Sequence, residues 1–182
     1  MQELSLNVLD IAQNSIRANA SLVTITVSED TLRHLLSISI EDDGCGMTEE
    51  QIKNVMDPFF TTRTTRKVGL GVPFFKMSAE ATGGTFSIQS EVGKGTRTTA
   101  TYHTDHFDML PLGDINATML SLISVNPQLD FLYRREIDGK SFVLDTREIR
   151  TILEGVPLNS PEVLTFLKEF LTENDSELNR KQ

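Results

Sequence analysis

Apolar residues fall on every second position over residues 22–27, where Val23, Ile25 and Val27 alternate with Thr24 and Thr26, and the pattern repeats over 35–40. Alternation of this kind predicts half-buried strands, and the polar stretch SEDTLRH between them suits a hairpin connection. Residues 85–90 and 96–102 predict two further strands around the turn EVGKG. Residues 4–20 carry a helical period instead. Leu6, Leu9, Ile16 and Ala20 form one apolar stripe with Ala12 beside it, and Val8, Ile11 and Ala18 form a lesser one, so much of this helix is expected to be buried. Asp10, Asn14 and Arg17 share its remaining side. A short helix is predicted from about Thr48, with Glu50 and Gln51 near the capping-box position. Pro73 suits the first turn of a third helix that stops at Gly83-Gly84. Between these two helices, DPFFTTRTTRKVGLG (57–71) has no sustained period and reads as a long loop. Loops of that length inside a compact domain are usually functional or disordered.

The pattern changes after Asp105. A helix over about 116–124 precedes two strands, 129–137 and 141–145, around Asp138-Gly139, a strong signal for a two-residue hairpin turn. Residues 146–153 and 161–171 read as helices, the first stopped by Gly155 and the second opened by Ser160-Pro161. Val163, Phe166, Leu167 and Phe170 give the last one an apolar face. The expected division is a mixed domain over 1–104, with about four strands and three helices, and a small extension over 105–182.

Composition narrows the class. With 182 residues, 38% of them apolar, the chain is neither disordered nor fibrous. Its single cysteine excludes an intramolecular disulfide framework. The formal charge is −9, and both halves carry a negative share, which speaks against binding nucleic acid or an anionic membrane through a broad basic surface. The first twenty residues lack a basic region followed by an apolar run, and no stretch approaches the roughly 18 uninterrupted apolar residues of a membrane span. A soluble cytoplasmic protein is expected. TTRTTRK (61–67) is a local exception, with three positive charges suited to a small anion.

Four elements carry candidate chemistry. In EDDGCGM, Gly44 and Gly46 permit positive φ or close approach of a flat ligand, and Asp42 ends an apolar strand where a carboxylate needs a donor such as an amino-pyrimidine edge. A tight turn with a capping aspartate explains the same residues. In VGLG (68–71), glycines before a helix let backbone amides approach phosphate, with Arg63, Arg66 and Lys67 upstream as cations. A solvated loop is the alternative, and this is not a Walker loop, because the lysine-hydroxyl pair of that motif is missing. On the first helix, the Asn14 oxygen suits Mg²⁺, Arg17 can reach phosphate, and Asp10 can hold a water. The same spacing also describes a solvated face. GKGT (93–96) serves equally as an ordinary strand turn.

Taken in order, an asparagine-bearing helix, D-x-G-x-G, P-F-F-T-T, G-L-G before a helix, and G-K-G-T resemble the GHKL superfamily of ATPases over residues 4–103. That resemblance implies an α/β (α+β) two-layer sandwich, a mixed sheet covered by helices on one face, holding Mg²⁺ and ATP beneath a lid. It implies that Asn14 ligates Mg²⁺, that Asp42 takes the adenine amino group, and that Gly44 and Gly46 shape the adenine pocket. Phe59 and Phe60 would anchor the lid, and Gly69 and Gly71 would contact phosphates. Met47, Arg63, Lys67, Leu70 and Thr98 complete the expected cofactor-binding set. DPFFTTR, GLG and GKGT look most like the catalytic domain of sensor histidine kinases, and Arg17 matches a basic residue placed there three after the asparagine. AQNSIRANAS echoes the mismatch-repair branch, where Asp10 occupies the position of the general base, one methylene short. His34, His103 and His106 fit no phosphoacceptor helix, so transfer to a histidine of this chain is not expected, and Cys45 reads as a small filler. The expected function is Mg-dependent ATP binding that acts on or regulates a separate partner or phosphoacceptor. A slow ATPase switch and a non-catalytic nucleotide-sensing module are the alternatives. Residues 105–182 resemble no family and are expected to dock a partner or, as a homodimer, a second copy, unless the final helix only completes the core.

Overall fold

Helix α1, Leu4–Arg17, leads into a hairpin of β1, Leu22–Asp30, and β2, Leu35–Asp42, in a computed structural model that describes residues 2–60 and 70–180. The register sets Ile25 opposite Ile40 and Val27 opposite Ile38, so the alternating apolar residues of both strands share one face, and all are buried. Helix α2, Glu49–Met56, begins at a capping box: the Thr48 hydroxyl accepts from the Gln51 amide N–H while the Gln51 side chain accepts from that of Thr48. Helix α3, Gly71–Ala81, starts two residues before Pro73 and ends ahead of Gly83-Gly84. A Cβ on Gly84 would stand 1.8 Å from the Thr101 carbonyl oxygen, so only glycine passes there. Strands β3, Phe86–Glu91, and β4, Gly95–His103, form the next hairpin, and β4 lies antiparallel to β2.

Past β4 the chain returns to α1. The amides of Leu4 and Ser5, orphan donors of the first helical turn, donate to the carbonyls of Pro111 and Leu112 at 3.0 and 2.8 Å. Helix α4, Ile115–Val125, is capped by Asp114, whose carboxylate accepts from the Ala117 amide. Strand β5, Asp130–Ile137, then runs parallel to β1, with Phe131 beside Val23 and Tyr133 beside Ile25. Strand β6, Lys140–Asp145, follows through Asp138-Gly139, both at positive φ as a two-residue hairpin turn demands. Helices α5, Thr146–Leu153, and α6, Pro161–Leu178, complete the described chain.

The result is one mixed six-stranded sheet, ordered β3-β4-β2-β1-β5-β6, with its apolar face under helices. Thr24, Thr26, Ser37, Ser39 and Thr99 leave the opposite face polar and partly exposed. Residues 105–182 supply two of the six strands, and Phe131, Tyr133, Met119 and Leu167 belong to the same buried cluster as Leu4, Ile25 and Ile38. The expected sandwich is thus present, and the last two strands extend its sheet.

Two local expectations are corrected. On α1 the most buried face runs through Leu4, Val8, Ile11 and Ala12 with the polar Ser5, Asn7 and Ser15; of the stripe that includes Leu6, the residues Leu9, Ile16 and Ala20 pack half-buried against the core, while Leu6 itself is 49% exposed. Helix α6 continues past residue 171 to Leu178, which packs against the core. No described helix is long and apolar enough to cross a membrane.

Candidate functional site

A cleft of about 420 Å³ opens between α1, the 42–47 loop, α2 and the adjoining ends of β2, β3 and β4. Strand pairing explains its composition. Asp42 lies opposite Thr96 and Ile40 opposite Thr98, while Thr98 lies opposite Ile88, so all five project onto the helix-covered face. Helix α1 stops short of covering these strand ends, and Ile11, Val55 and Val72 form apolar sides around them. Asn14 and Arg17 border the same space.

Asp42 is held from two directions. Its Oδ2 accepts from the Ser15 hydroxyl at 2.5 Å, and its Oδ1 accepts from the Gly44 amide at 2.9 Å. A carboxylate offers about four acceptor positions, so these two bonds orient the group and leave capacity for a further donor. Ser15, 2% exposed, was missed in the sequence. Its signal was a small hydroxyl one turn after Ile11 and two after Val8, in line with the lesser apolar stripe.

The glycine loop is clamped at both ends. Asp43 accepts from the Ser21 hydroxyl and from the amides of Ser21 and Leu22. Burial pushes the Asp43 carboxyl upward, but these hydrogen bonds outweigh it and hold it below the ordinary carboxylate range. The Cys45 amide donates to the Ala18 carbonyl at 2.9 Å, the Gly93 amide to the Cys45 carbonyl at 2.7 Å, and the Met47 amide to the Ser90 hydroxyl at 2.8 Å. Gly46 has φ +68°, and a Cβ there would lie 2.0 Å from the Glu91 carbonyl oxygen. Both loop glycines are required by the protein's own backbone, since a Cβ on Gly44 would strike Ala18 at 2.8 Å.

At the mouth, Arg17 Nη1 donates to Asn14 Oδ1 at 3.2 Å. Asp10, one turn before Asn14, stands at the junction of α1 and α3, where a Cβ on Gly71 would meet the Asp10 Cβ at 2.7 Å. Burial raises the Asp10 pKa, and Arg17 only partly counters it.

The structure therefore gathers Asn14, Arg17, Asp42, Gly46, Met47 and Thr98 around one cleft, with Gly44 directly behind Asp42. Asp10 and Gly71 meet beside it. Leu70 caps α3 at 37% exposure, and Phe59 and Phe60 sit after α2 with 77% and 51% exposed. Arg63, Arg66, Lys67 and Gly69 lie outside the described residues. Cys45 is exposed and lines the cleft rather than filling a packed interior.

An adenine nucleotide fits this donor set: an oriented carboxylate beside Ile40, Ile88, Val55 and Val72, with an arginine at the mouth. For Mg²⁺, Asn14 offers a neutral oxygen at the mouth of the cleft, and among the described residues no group of three or more His, Cys, Asp or Glu can hold a metal ion. That fits an ion carried mainly by phosphate oxygens and water rather than by a protein cage.

The model of the family described as histidine kinase-, DNA gyrase B-, and HSP90-like ATPase matches residues 2–106. Sporulation kinase E of Bacillus subtilis (strain 168) is 34% identical over 48% of this chain and 12% of its own length. Sensor protein SrrB of Staphylococcus aureus (strain NCTC 8325 / PS 47) is 32% identical over 53% of this chain and 17% of its own. The chain thus spans under a fifth of the length of either relative. Among solved structures, the N-terminal domain of a DNA repair protein superposes with a TM-score of 0.50 at 16% identity, over 80% of this chain and 53% of that one. This likeness of fold reaches further along the chain than the family match does.

Proposed function

Because the chain belongs to the family of histidine kinase-, DNA gyrase B- and HSP90-like ATPases, we propose that its histidine-kinase-like ATP-binding domain takes ATP in a Mg²⁺-dependent manner and acts on or regulates a separate protein. The observation that carries the reading is the Asp42 carboxylate, oriented by Ser15 and Gly44 in an apolar cleft whose mouth bears Asn14 and Arg17. In this reading Asp42 accepts the adenine amino group, and Thr98 with Met47 bounds the base. Asn14 supplies a metal ligand, releasing its present bond from Arg17, which turns to phosphate. Gly44 and Gly46 fix the loop. Arg63, Lys67, Gly69, Leu70 and Gly71 are assigned to the phosphates and Phe59 and Phe60 to the lid, by family position. Bound Mg²⁺ would neutralise phosphate charge, and the chain's part is to position and exclude water.

Calorimetric titration with ATP, ADP and GTP, with and without Mg²⁺, tests this on wild type and Asp42→Asn. Adenine-selective binding is expected, and the variant should lose about 2–5 kcal/mol, the range for truncating one partner of a buried charged hydrogen bond. Absence of nucleotide binding by folded wild-type protein would refute the proposal.

The raised pKa of Asp10 favours a second reading, a slow ATPase switch in which this residue is the general base. Asp10→Asn should then abolish phosphate release and spare ATP binding. Unchanged turnover would remove Asp10 from the chemistry.

A further inference from the structure

A second hollow, of about 490 Å³, lies between α5 and α6 at the β6 edge of the sheet, remote in sequence from the nucleotide cleft. Its floor is apolar and firmly packed, with Leu144 2% and Val163 6% exposed. Its walls are apolar as well: Ile152 is 79% exposed and Phe166 53%. Folding alone gives no reason for these side chains to face water across a concavity, whereas docking does.

The charge around the hollow has one sign. Every ionisable residue lining it is acidic: Asp145, Glu148 and Glu162. Arg147 offsets Asp145, with which it pairs at 2.7 Å, and Arg150 pairs with Asp130 outside the hollow at 2.7 Å, so neither cation of α5 meets Glu148 or Glu162 in an ion pair. Glu148 and Glu162 therefore present negative charge on opposite walls, one on each helix. Two helical walls above an apolar floor form the groove in which an amphipathic helix lays anchors at i, i+3, i+4 and i+7. A second copy of this chain is a poor occupant, because a two-fold contact through this face would set its acidic rim against itself.

We propose that the α5–α6 hollow is a docking groove for a basic amphipathic helix of a partner protein, with apolar anchors seated between Ile152 and Phe166 and lysines or arginines facing Glu148 and Glu162. The groove reading stands apart from the nucleotide reading, and either can fail alone.

The test is fluorescence anisotropy on the full chain with three labelled peptides. One is a helix-forming peptide with leucines at i, i+3, i+4 and i+7 and lysines flanking them. The second carries glutamates in place of the lysines, and the third has the first composition scrambled. The lysine peptide should bind, and the other two should not. Ile152→Asp with Phe166→Asp should weaken it by about tenfold or more, as loss of two central anchors does. Glu148→Lys with Glu162→Lys should invert the preference toward the glutamate peptide. Both pairs replace exposed side chains, and unchanged circular dichroism and ATP titration would show that the fold persists. Equal binding of the scrambled peptide, or no binding by any peptide, overturns the proposal. So does a concentration-dependent dimer in sedimentation that the groove variants dissolve.

Discussion

The cleft beside α1 and the hollow between α5 and α6 are built on one sheet by opposite means. The cleft above β2 and β4 places polar groups inside an apolar surround: Asp42 is fixed by Ser15 and Gly44 before any ligand arrives. The hollow beside β6 places apolar groups inside and keeps its charges at the rim. An oriented carboxylate selects a small ligand by hydrogen bonding, because a mismatched polar group leaves it unpaired. An apolar trough with a one-sign rim selects by shape and by charge at longer range, as partner surfaces do. The difference teaches that a family motif accounts for the first region only.

The strongest way to break the comparison is to show that the regions are not parts of one folding unit. Phe131, fully buried on β5, sits beside Val23 of β1 in the parallel pair that joins the two ends of the sheet. Phe131→Ala should cost about 3–5 kcal/mol. Denaturation of wild type and variant, followed at once by far-ultraviolet circular dichroism and by a label near β6, should give coincident transitions, displaced together. Loss of the label's signal while the nucleotide cleft remains folded would separate the regions.

What was legible in the sequence follows the same divide. Alternation gave β1 and β2 because one face of each strand is wet and the other dry, and Asp138-Gly139 gave the β5–β6 turn because few residues tolerate its positive φ. The Thr48 cap and the bounds of α5 were local signals too. The cleft was legible through the order of its motifs rather than through any one of them. Ser15 was not, since hydropathy assigns a serine outward, yet this one is buried to bind Asp42. Leu6 misled for the complementary reason: α1 is enclosed by the sheet, α3 and α4, and the buried polar Ser5, Asn7 and Ser15 displaced the apparent stripe. The tail of α6, TENDSEL, lacks apolar periodicity apart from Leu178, so its helix ran on unseen. The parallel pairing of β5 with β1 joins residues over a hundred positions apart, and no local pattern encodes it.

Ser15→Ala sharpens the comparison with a smaller effect. Removing a hydrogen bond to a charged group should weaken ATP binding by about 1.5–3 kcal/mol. The lysine-flanked peptide should bind the same variant with wild-type affinity. Calorimetry for the nucleotide and anisotropy for the peptide check both halves. Equal losses at both sites would mean that the substitution acts through global stability. Ser15→Thr, which keeps the hydroxyl, should recover part of the nucleotide affinity if the bond to Asp42 is what matters.

The smallest effect concerns two aspartates that do similar work in the two regions. Asp43 ties the glycine loop to Ser21 and Leu22, and Asp145 caps α5 through the Arg147 amide while its carboxylate also pairs with the Arg147 guanidinium. Both carboxyls lie below their ordinary range, Asp145 chiefly through the hydrogen bond from the Arg147 side chain, with burial opposing it. A carboxyl whose folded pKa is depressed stabilises fully above its unfolded value, about 3.9, and loses that contribution as pH falls through the lower folded value. Asp145→Ala should therefore cost about 0.5–2 kcal/mol at pH 7, the usual worth of an N-cap. The cost should hold down to about pH 5 and shrink below pH 4, as read by urea unfolding of both proteins at each pH. Asp43→Ala should follow the same pH course with a smaller amplitude, because its carboxylate is more exposed to solvent. The two variants should part company in binding: Asp43→Ala loosens the loop that carries Gly44 and weakens ATP, whereas Asp145→Ala leaves ATP unaffected. A cost for either variant that persisted undiminished at pH 3 would assign that aspartate's contribution to packing rather than to its charge.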